Sequence, residues 1–323
     1  LAKSSGNAFG AGATVDVSGG TLLYAGDSAD MINDSLSSLN VYNGGLVDLN
    51  GRSDTVAYVS LGSGTIQTGT GTLTIGTSLD GNSLGNTVTG RLALGKSAVS
   101  FYADPTLAFG DYTVAAEITG TGGLFVNGGG VVGFSGVNSY TGTTVVQTGT
   151  LNMTGAGSIN TTSAITVADP VGVTSAGLVY NSSVPLTVAP QLQGDWSTSV
   201  LATLSGTGTI NAGVTLNDLG DVLSPGNSPG ILPFGTSQSW QAYTYQWELN
   251  SWSGTSAGTN FDRITISGGL TLSNSGTYQI QLVSLDALNQ PGDLDNFVEE
   301  SRSWTIISTT GGISGFDPSK WSF

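Results

Sequence analysis

Residues Thr119–Leu151 read TGTGGLFVNGGGVVGFSGVNSYTGTTVVQTGTL. The order is glycine turn, short apolar strand, glycine turn, then Ser-Gly-x-Asn-x-Tyr-x-Gly-Thr-Thr, a second strand and Gly-Thr-Leu, and no reactive group lies within it. A unit this small cannot bury its apolar face alone. It must stack on neighbours built like itself, which predicts an all-β, right-handed parallel β-helix.

Working outward, short strands with period-two alternation lie between glycine-rich corners: Thr14–Val17, Leu39–Val41, Gly45–Leu49, Gly64–Ile66 and Thr72–Ile75. Each supplies only two or three inward apolar residues, so it makes sense as one side of a coil of about 20 residues. Tight bends between the sides need positive φ, which glycine, and less readily Asn or Asp, adopts cheaply. Corners are expected at Asn43-Gly44-Gly45, Asp80-Gly81-Asn82 and Asn127-Gly128-Gly129-Gly130. Asn138 is open to two readings, a rung of an internal polar ladder or a solvent-facing turn residue.

Composition shifts near residue 239, after which five of the six tryptophans fall. Tyr243, Tyr245, Trp247 and Leu249 alternate with Thr244, Gln246, Glu248 and Asn250, the pattern of a longer strand with one aromatic face. Three segments are therefore expected: N-terminal coils over 1–118, coils with the repeat over 119–238, and more irregular aromatic-rich coils or a β-cap over 239–323. The best helical stretch is a short turn near Asp293–Glu300.

The fragment resembles the autotransporter-associated β-strand repeat, a bacterial family, at Gly122, Gly123, Leu124, Ser135, Gly136, Asn138, Tyr140, Gly142, Thr143, Thr144, Gly149 and Leu151. Leu204–Leu232, with its Ser-Pro-Gly-Asn-Ser-Pro-Gly turn, is similar to the segment that follows the last repeat in such proteins. Trp247–Leu249, Phe261–Ile264 and Gly311–Phe316 extend the likeness. The resemblance implies an exported surface protein with a β-helical passenger and brings no catalytic residue with it. The opening Leu1-Ala2-Lys3, and the repeat-like run from Phe9 to Tyr24, lead to the expectation that the chain starts inside a longer precursor, with any anchor elsewhere.

Charge and composition narrow the function classes. The 323 residues hold 50 glycines, 38% are hydrophobic and only 9% are charged, so a normal apolar core carries a neutral skin of Ser, Thr, Asn and Gly. The regular Val, Ile and Leu spacing separates the chain from a disordered low-complexity sequence. Net charge is −15, with no Lys/Arg cluster to contact phosphates, which argues against nucleic acid as a partner. No apolar run of about 18 residues occurs, so direct membrane insertion through a helix is not expected. Cysteine is absent, and no disulfide or thiolate exists.

Candidate chemistry is sparse. Without His or Cys there is no Ser-His-Asp triad, no Cys-His pair and no ordinary zinc site, and no cofactor is expected. Parallel β-helices host polysaccharide lyases and hydrolases, which need clustered carboxylates with a basic neighbour. The basic residues are Lys3, Lys96, Lys320, Arg52, Arg91, Arg263 and Arg302, and Arg52 with Asp48 and Asp54 is the nearest constellation, though an exposed corner ion pair is the plainer reading. The acidic loop Asp286–Asp295 offers Asp286, Asp293 and Asp295 as calcium ligands, or is simply solvated. Trp247 and Trp252 would stack on sugar rings if exposed, and are core residues otherwise. The asparagine sequons at Asn33, Asn152, Asn160 and Asn181 decide nothing in a chain so rich in Ser and Thr.

These readings converge on a non-enzymatic extracellular structural protein of a bacterial surface. Parallel coils expose unpaired N–H and C=O groups at both ends unless something caps them, so self-association end to end or by strand exchange is the expected partner chemistry. An adhesin binding glycan or matrix is the alternative, and a polysaccharide lyase or hydrolase the second.

Overall fold

The computed structural model describes residues 8–27, 31, 32, 34, 38–96, 98–169 and 174–323. Lys3 and Asn33 lie outside them. The chain divides into two compact units, Leu1–Ile165 and Thr166–Phe323, and each is a stack of parallel β-coils.

In the first unit one sheet runs through Thr14–Ser18, Ser38–Tyr42, Asp54–Gly62, Leu73–Gly81, Ala98–Ala103, Gly123–Asn127 and Thr144–Val146. A second runs through Thr21–Leu23, Leu46–Asp48, Thr65–Gln67, Asn86–Thr89, Tyr112–Val114, Val131–Phe134 and Gly149–Met153. The pairing is parallel throughout, and Leu39 meets Val59, 20 residues on. Alternation puts one residue of each strand in an axial row: Val15, Leu39, Val59, Leu79, Phe101, Val126 and Val146 stand in register and are all buried. Burying each such side chain is worth about 1.5–3 kcal/mol, and that sum, repeated coil by coil, is what the stack is made of.

The repeat owes its motif to close approach between coils. A Cβ on Gly142 would lie 2.2 Å from the Gly122 carbonyl oxygen, so glycine is required where the two coils touch. Inside, the Tyr140 hydroxyl sits 2.5 Å from Thr144 Oγ1, Thr144 donates to Thr162 Oγ1 at 3.0 Å, and Thr162 donates to the Gly142 carbonyl at 2.6 Å. The Tyr-x-Gly-Thr-Thr signature is thus a buried hydroxyl relay linking coils. Asn138 is also buried, and its Oδ1 accepts from the Ile118 amide at 3.0 Å, so it bonds along the axis to backbone rather than to another asparagine.

Asn43 and Gly44 have positive φ, as do Gly128 and Gly129, and those corners stand where the sequence puts them. The expected corner at Asp80-Gly81-Asn82 does not. Gly81 ends the strand Leu73–Gly81, and its missing side chain makes room for the Tyr112 ring, which a Cβ would approach to 2.6 Å.

In the second unit Ala176–Tyr180, Ala202–Gly206, Asn217–Pro225, Gln238–Leu249 and Leu270–Ser284 form one parallel sheet. Leu270–Ser284 also pairs with Ile313–Ser314 and Trp321–Ser322, while Ile231–Phe234, Arg263–Ile266 and Ile307–Thr309 make a second, three-stranded sheet. The step between paired residues is 26 from Ala176 to Ala202 and 19 from Ala202 to Asp221, and from there it widens to 43 between Leu270 and Ile313. No helix forms over Asp293–Glu300. Asp295 forms a bridge with Ser251 and accepts the Trp252 amide at 3.1 Å, and Asn296 has a left-handed φ of 56°, so that backbone is held extended and then broken. The helical turns of the described residues are 3₁₀, at Trp196–Thr198 and Pro318–Lys320.

Candidate terminal-coil site

The last coil of the second unit is built on the aromatic strand. Gln238–Leu249 pairs in register with Leu270–Ser284 apart from a shift between Trp240 and Ala242. Trp240, Tyr243 and Tyr278 pack edge to face with ring centroids 5.0 and 5.6 Å apart, and Trp321 lies over Tyr278 at 4.9 Å. Such contacts add roughly 0.5–1.5 kcal/mol each beyond burial, which suits a coil too wide for aliphatic side chains to fill.

The outer edge of Leu270–Ser284 is only partly covered. Its last strand pairing on that side is Gln279 with Ser322, so among the described residues Ile280–Val283 carries no strand there. Beside it is an apolar cleft of about 360 Å³ whose lining includes Leu270, Leu272, Ile280, Trp304, Ile306 and Trp321. Leu282 is 61% exposed and Phe316 59%. Free N–H and C=O groups next to apolar sockets are what an added β-strand uses.

Behind the cleft a carboxylate ties the coil together. Asp262 is fully buried; its Oδ1 accepts from the Gly230 amide at 2.6 Å and its Oδ2 from the Glu248 amide at 3.0 Å. Trp247 Nε1 donates to the Asp262 carbonyl at 2.9 Å. The three C-terminal sequence matches that meet here, the Ser-Pro-Gly turn, Trp-Glu-Leu and Phe-Asp-Arg-Ile, therefore share one structural task. Burial outweighs the two amide bonds and, with the nearby Glu248 charge, pushes the Asp262 carboxyl up to about 8. Glu248 is raised as well, also by burial.

The other buried acids serve alike. Asp221, which burial pushes up to about 6, accepts from the amides of Gly194, Asn217 and Asp218 at 2.7, 2.7 and 3.2 Å. Asp54 takes the Tyr24 hydroxyl at 2.7 Å and the amides of Met31, Ile32 and Thr55. It therefore does not face Arg52, which lies 3.8 Å from Asp27 and donates to the carbonyls of Tyr24 and Asn50, while Asp48 accepts from the Asn50 amide. The Arg52, Asp48 and Asp54 grouping is not assembled into a site.

Trp247 is buried, its ring between Phe261 and Trp304. Trp252 is half-buried against Phe297 and Trp304 at 4.9 and 5.0 Å. Neither indole presents a free platform. In the acidic loop Asp286 Oδ1 accepts from the amides of Leu288 and Gln290, Asp295 accepts from the Asn296 side chain, and Asp293 is exposed. Among the described residues no three acidic, His or Cys side chains gather as a metal site. The open edge, with Ile280 and Leu282, escaped the sequence reading; its signal is the run Tyr-Gln-Ile-Gln-Leu-Val, whose alternation continues past the length its outer partners cover.

No family model and no solved structure matches the chain. It is similar to the adhesin BmaC autotransporter of Brucella suis biovar 1 (strain 1330), with 28% identity over 120 residues. That stretch is 36% of this chain and 4% of the adhesin, so the chain spans a small part of that relative's length. This partial likeness and the parallel β-coils together fit a passenger-like β-solenoid.

Proposed function

We propose that this chain is a segment of a bacterial surface passenger of the autotransporter kind, carrying a copy of the autotransporter-associated β-strand repeat, and that it is a non-enzymatic scaffold joining copies by strand addition at the terminal coil of the second unit. The similarity to an autotransporter adhesin supports the surface role. The non-enzymatic reading is supported by the buried carboxylates Asp54, Asp221 and Asp262, each of which holds backbone amides.

The observation that carries the assembly reading is the uncovered edge Ile280–Val283 beside the apolar cleft. The first unit supplies a matching surface: among the described residues Thr14–Ser18 pairs only with Ser38–Tyr42, and Thr21–Leu23 only with Leu46–Asp48. A parallel edge on each unit permits a contact between copies that is heterologous and, where the rotation does not close a ring, continues into a filament.

The test is sedimentation velocity over a concentration series, with negative-stain electron microscopy of the same samples. The expected result is concentration-dependent polymers for the native chain and monomers for Leu282→Lys, with the melting temperature unchanged. A native chain that stays monomeric at every concentration sinks the assembly reading.

A further inference from the structure

The first unit carries a polar groove whose lining groups are only partly used in structural hydrogen bonds. The groove has a volume of about 550 Å³, and Asp48, Asn50, Gln67, Thr70 and Thr89 line it. Its floor is backbone, because glycines 51, 69 and 90 stack at one corner of successive coils. Asp48, Gln67 and Thr89 are register partners on three consecutive strands and so recur at the strand spacing of about 4.8 Å. On the same face Thr65 and Thr87 stand two residues before Gln67 and Thr89 on their strands, and Thr113 continues that second row on the next strand.

Among the described residues the Gln67 amide and the Thr70 and Thr89 hydroxyls bond to no other group, and the second Asp48 carboxylate oxygen is likewise uncommitted. Together they offer both donors and acceptors at a regular spacing, which is what a chain of hydroxyl-bearing units needs. The charge balance selects among such polymers. Arg52 and Arg91 border the groove, donating to the carbonyls of Asn50 and Thr70, but each is already matched by an acid, Asp27 at 3.8 Å and Glu117 at 3.7 Å. With Asp48 inside the groove and a net charge of −15 overall, an acidic polymer is repelled.

We propose that this groove binds an uncharged polysaccharide laid along the stacking direction, its successive hydroxyls taken by Asp48, Gln67 and Thr89. The site is separate from the terminal coil and does not depend on assembly there. Affinity rises with oligomer length along the row, since each further unit meets another polar side chain at no new cost of encounter.

The experiment is isothermal titration of the full chain with the neutral hexasaccharides of glucose, mannose and N-acetylglucosamine, the corresponding monosaccharides, hexagalacturonate and the cationic glucosamine hexamer. At least one neutral hexamer is expected to bind at least about tenfold tighter than its monosaccharide. Gln67→Ala with Thr89→Ala is expected to weaken that binding about tenfold, two neutral hydrogen bonds' worth, at an unchanged melting temperature. Leu282→Lys is expected to leave it untouched, which keeps this result apart from the assembly test. Absence of binding by all three neutral hexamers overturns the proposal, as does preference for either charged hexamer or native affinity in the double variant.

Discussion

In the repeat around Thr119–Leu151, paired residues are 19 or 20 apart and the coils are locked by a hydroxyl relay and by glycine contacts. In the coils after Gln238 the step is 32 to 43 residues, and the locks are a buried carboxylate and interleaved indole and phenol rings. The difference follows from perimeter. A short coil brings backbones close enough for Gly142 to touch Gly122, whereas a wide coil needs large rings to fill it and a buried hydrogen-bonding bracket to hold its loops. Doubling the loop costs only about 0.6 kcal/mol of closure entropy, less than one well-placed buried bracket returns. Width is therefore cheap once Asp262 is in place.

The sharpest way to break this comparison is Gly142→Val. Its new side chain has nowhere to go, and a loss of about 3 kcal/mol or more is expected by calorimetry. Gly44→Ala, at a corner with open space but a φ of 76°, is expected to cost only about 1 kcal/mol. Equal losses at the two glycines would show that turn geometry, not coil contact, governs the repeat.

Asp262→Asn probes the other region. In place of the single proton that the native carboxyl carries at pH 5, it sets a two-proton amide donor against a backbone N–H, and about 2 kcal/mol is expected to be lost there, read from urea midpoints. The pH dependence has a definite sign. Because the folded carboxyl titrates near 8, above its ordinary value, the native state holds a proton that the unfolded chain releases. The contribution of Asp262 is full below about pH 4 and declines as pH rises towards 8. The native chain should thus be weaker at pH 8 than at pH 5, and Asp262→Asn should lose most of that slope above pH 6, leaving the share of Asp221, which titrates near 6. A native chain equally stable at both values would show that the bracket holds a charge without penalty.

Thr144→Val carries the smallest expected effect of the three, about 1 kcal/mol, because it leaves the Tyr140 hydroxyl buried without its partner. Adding Tyr140→Phe should recover part of the loss, a coupling that thermal melts of the double-mutant cycle would measure. The outward neighbour Thr143→Val should stay within about 0.5 kcal/mol. If the two threonines cost the same, the relay is not a lock.

The stack itself was legible because its causes are local: strands such as Thr14–Ser18 and Ser38–Tyr42 announce their inward residues by alternation, and Asn43-Gly44 announces its bend. Gly81 misled because a glycine needed for a ring packed from another strand looks in sequence like a glycine needed for a turn. The groups that matter at the terminal coil were hidden for a related reason. The alternation around Leu282 shows a long strand, but whether Leu282 is covered depends on where the outer strand ends, at Ser322, 40 residues further on. Trp247 and Trp252 drew attention by type, but their surroundings come from Phe261, Phe297 and Trp304 across long loops.

The 20-residue coil has a mechanical side. Such a coil occupies about 4.8 Å of stack but contains about 70 Å of chain when pulled straight. Under tension a coil that peels from an end would lengthen the molecule more than tenfold over the height it gives up, and it would do so one coil at a time while the rest stays folded. The stack is in that sense a spool, and flow dragging on a surface protein built this way would be absorbed as released length before any other bond was asked to break.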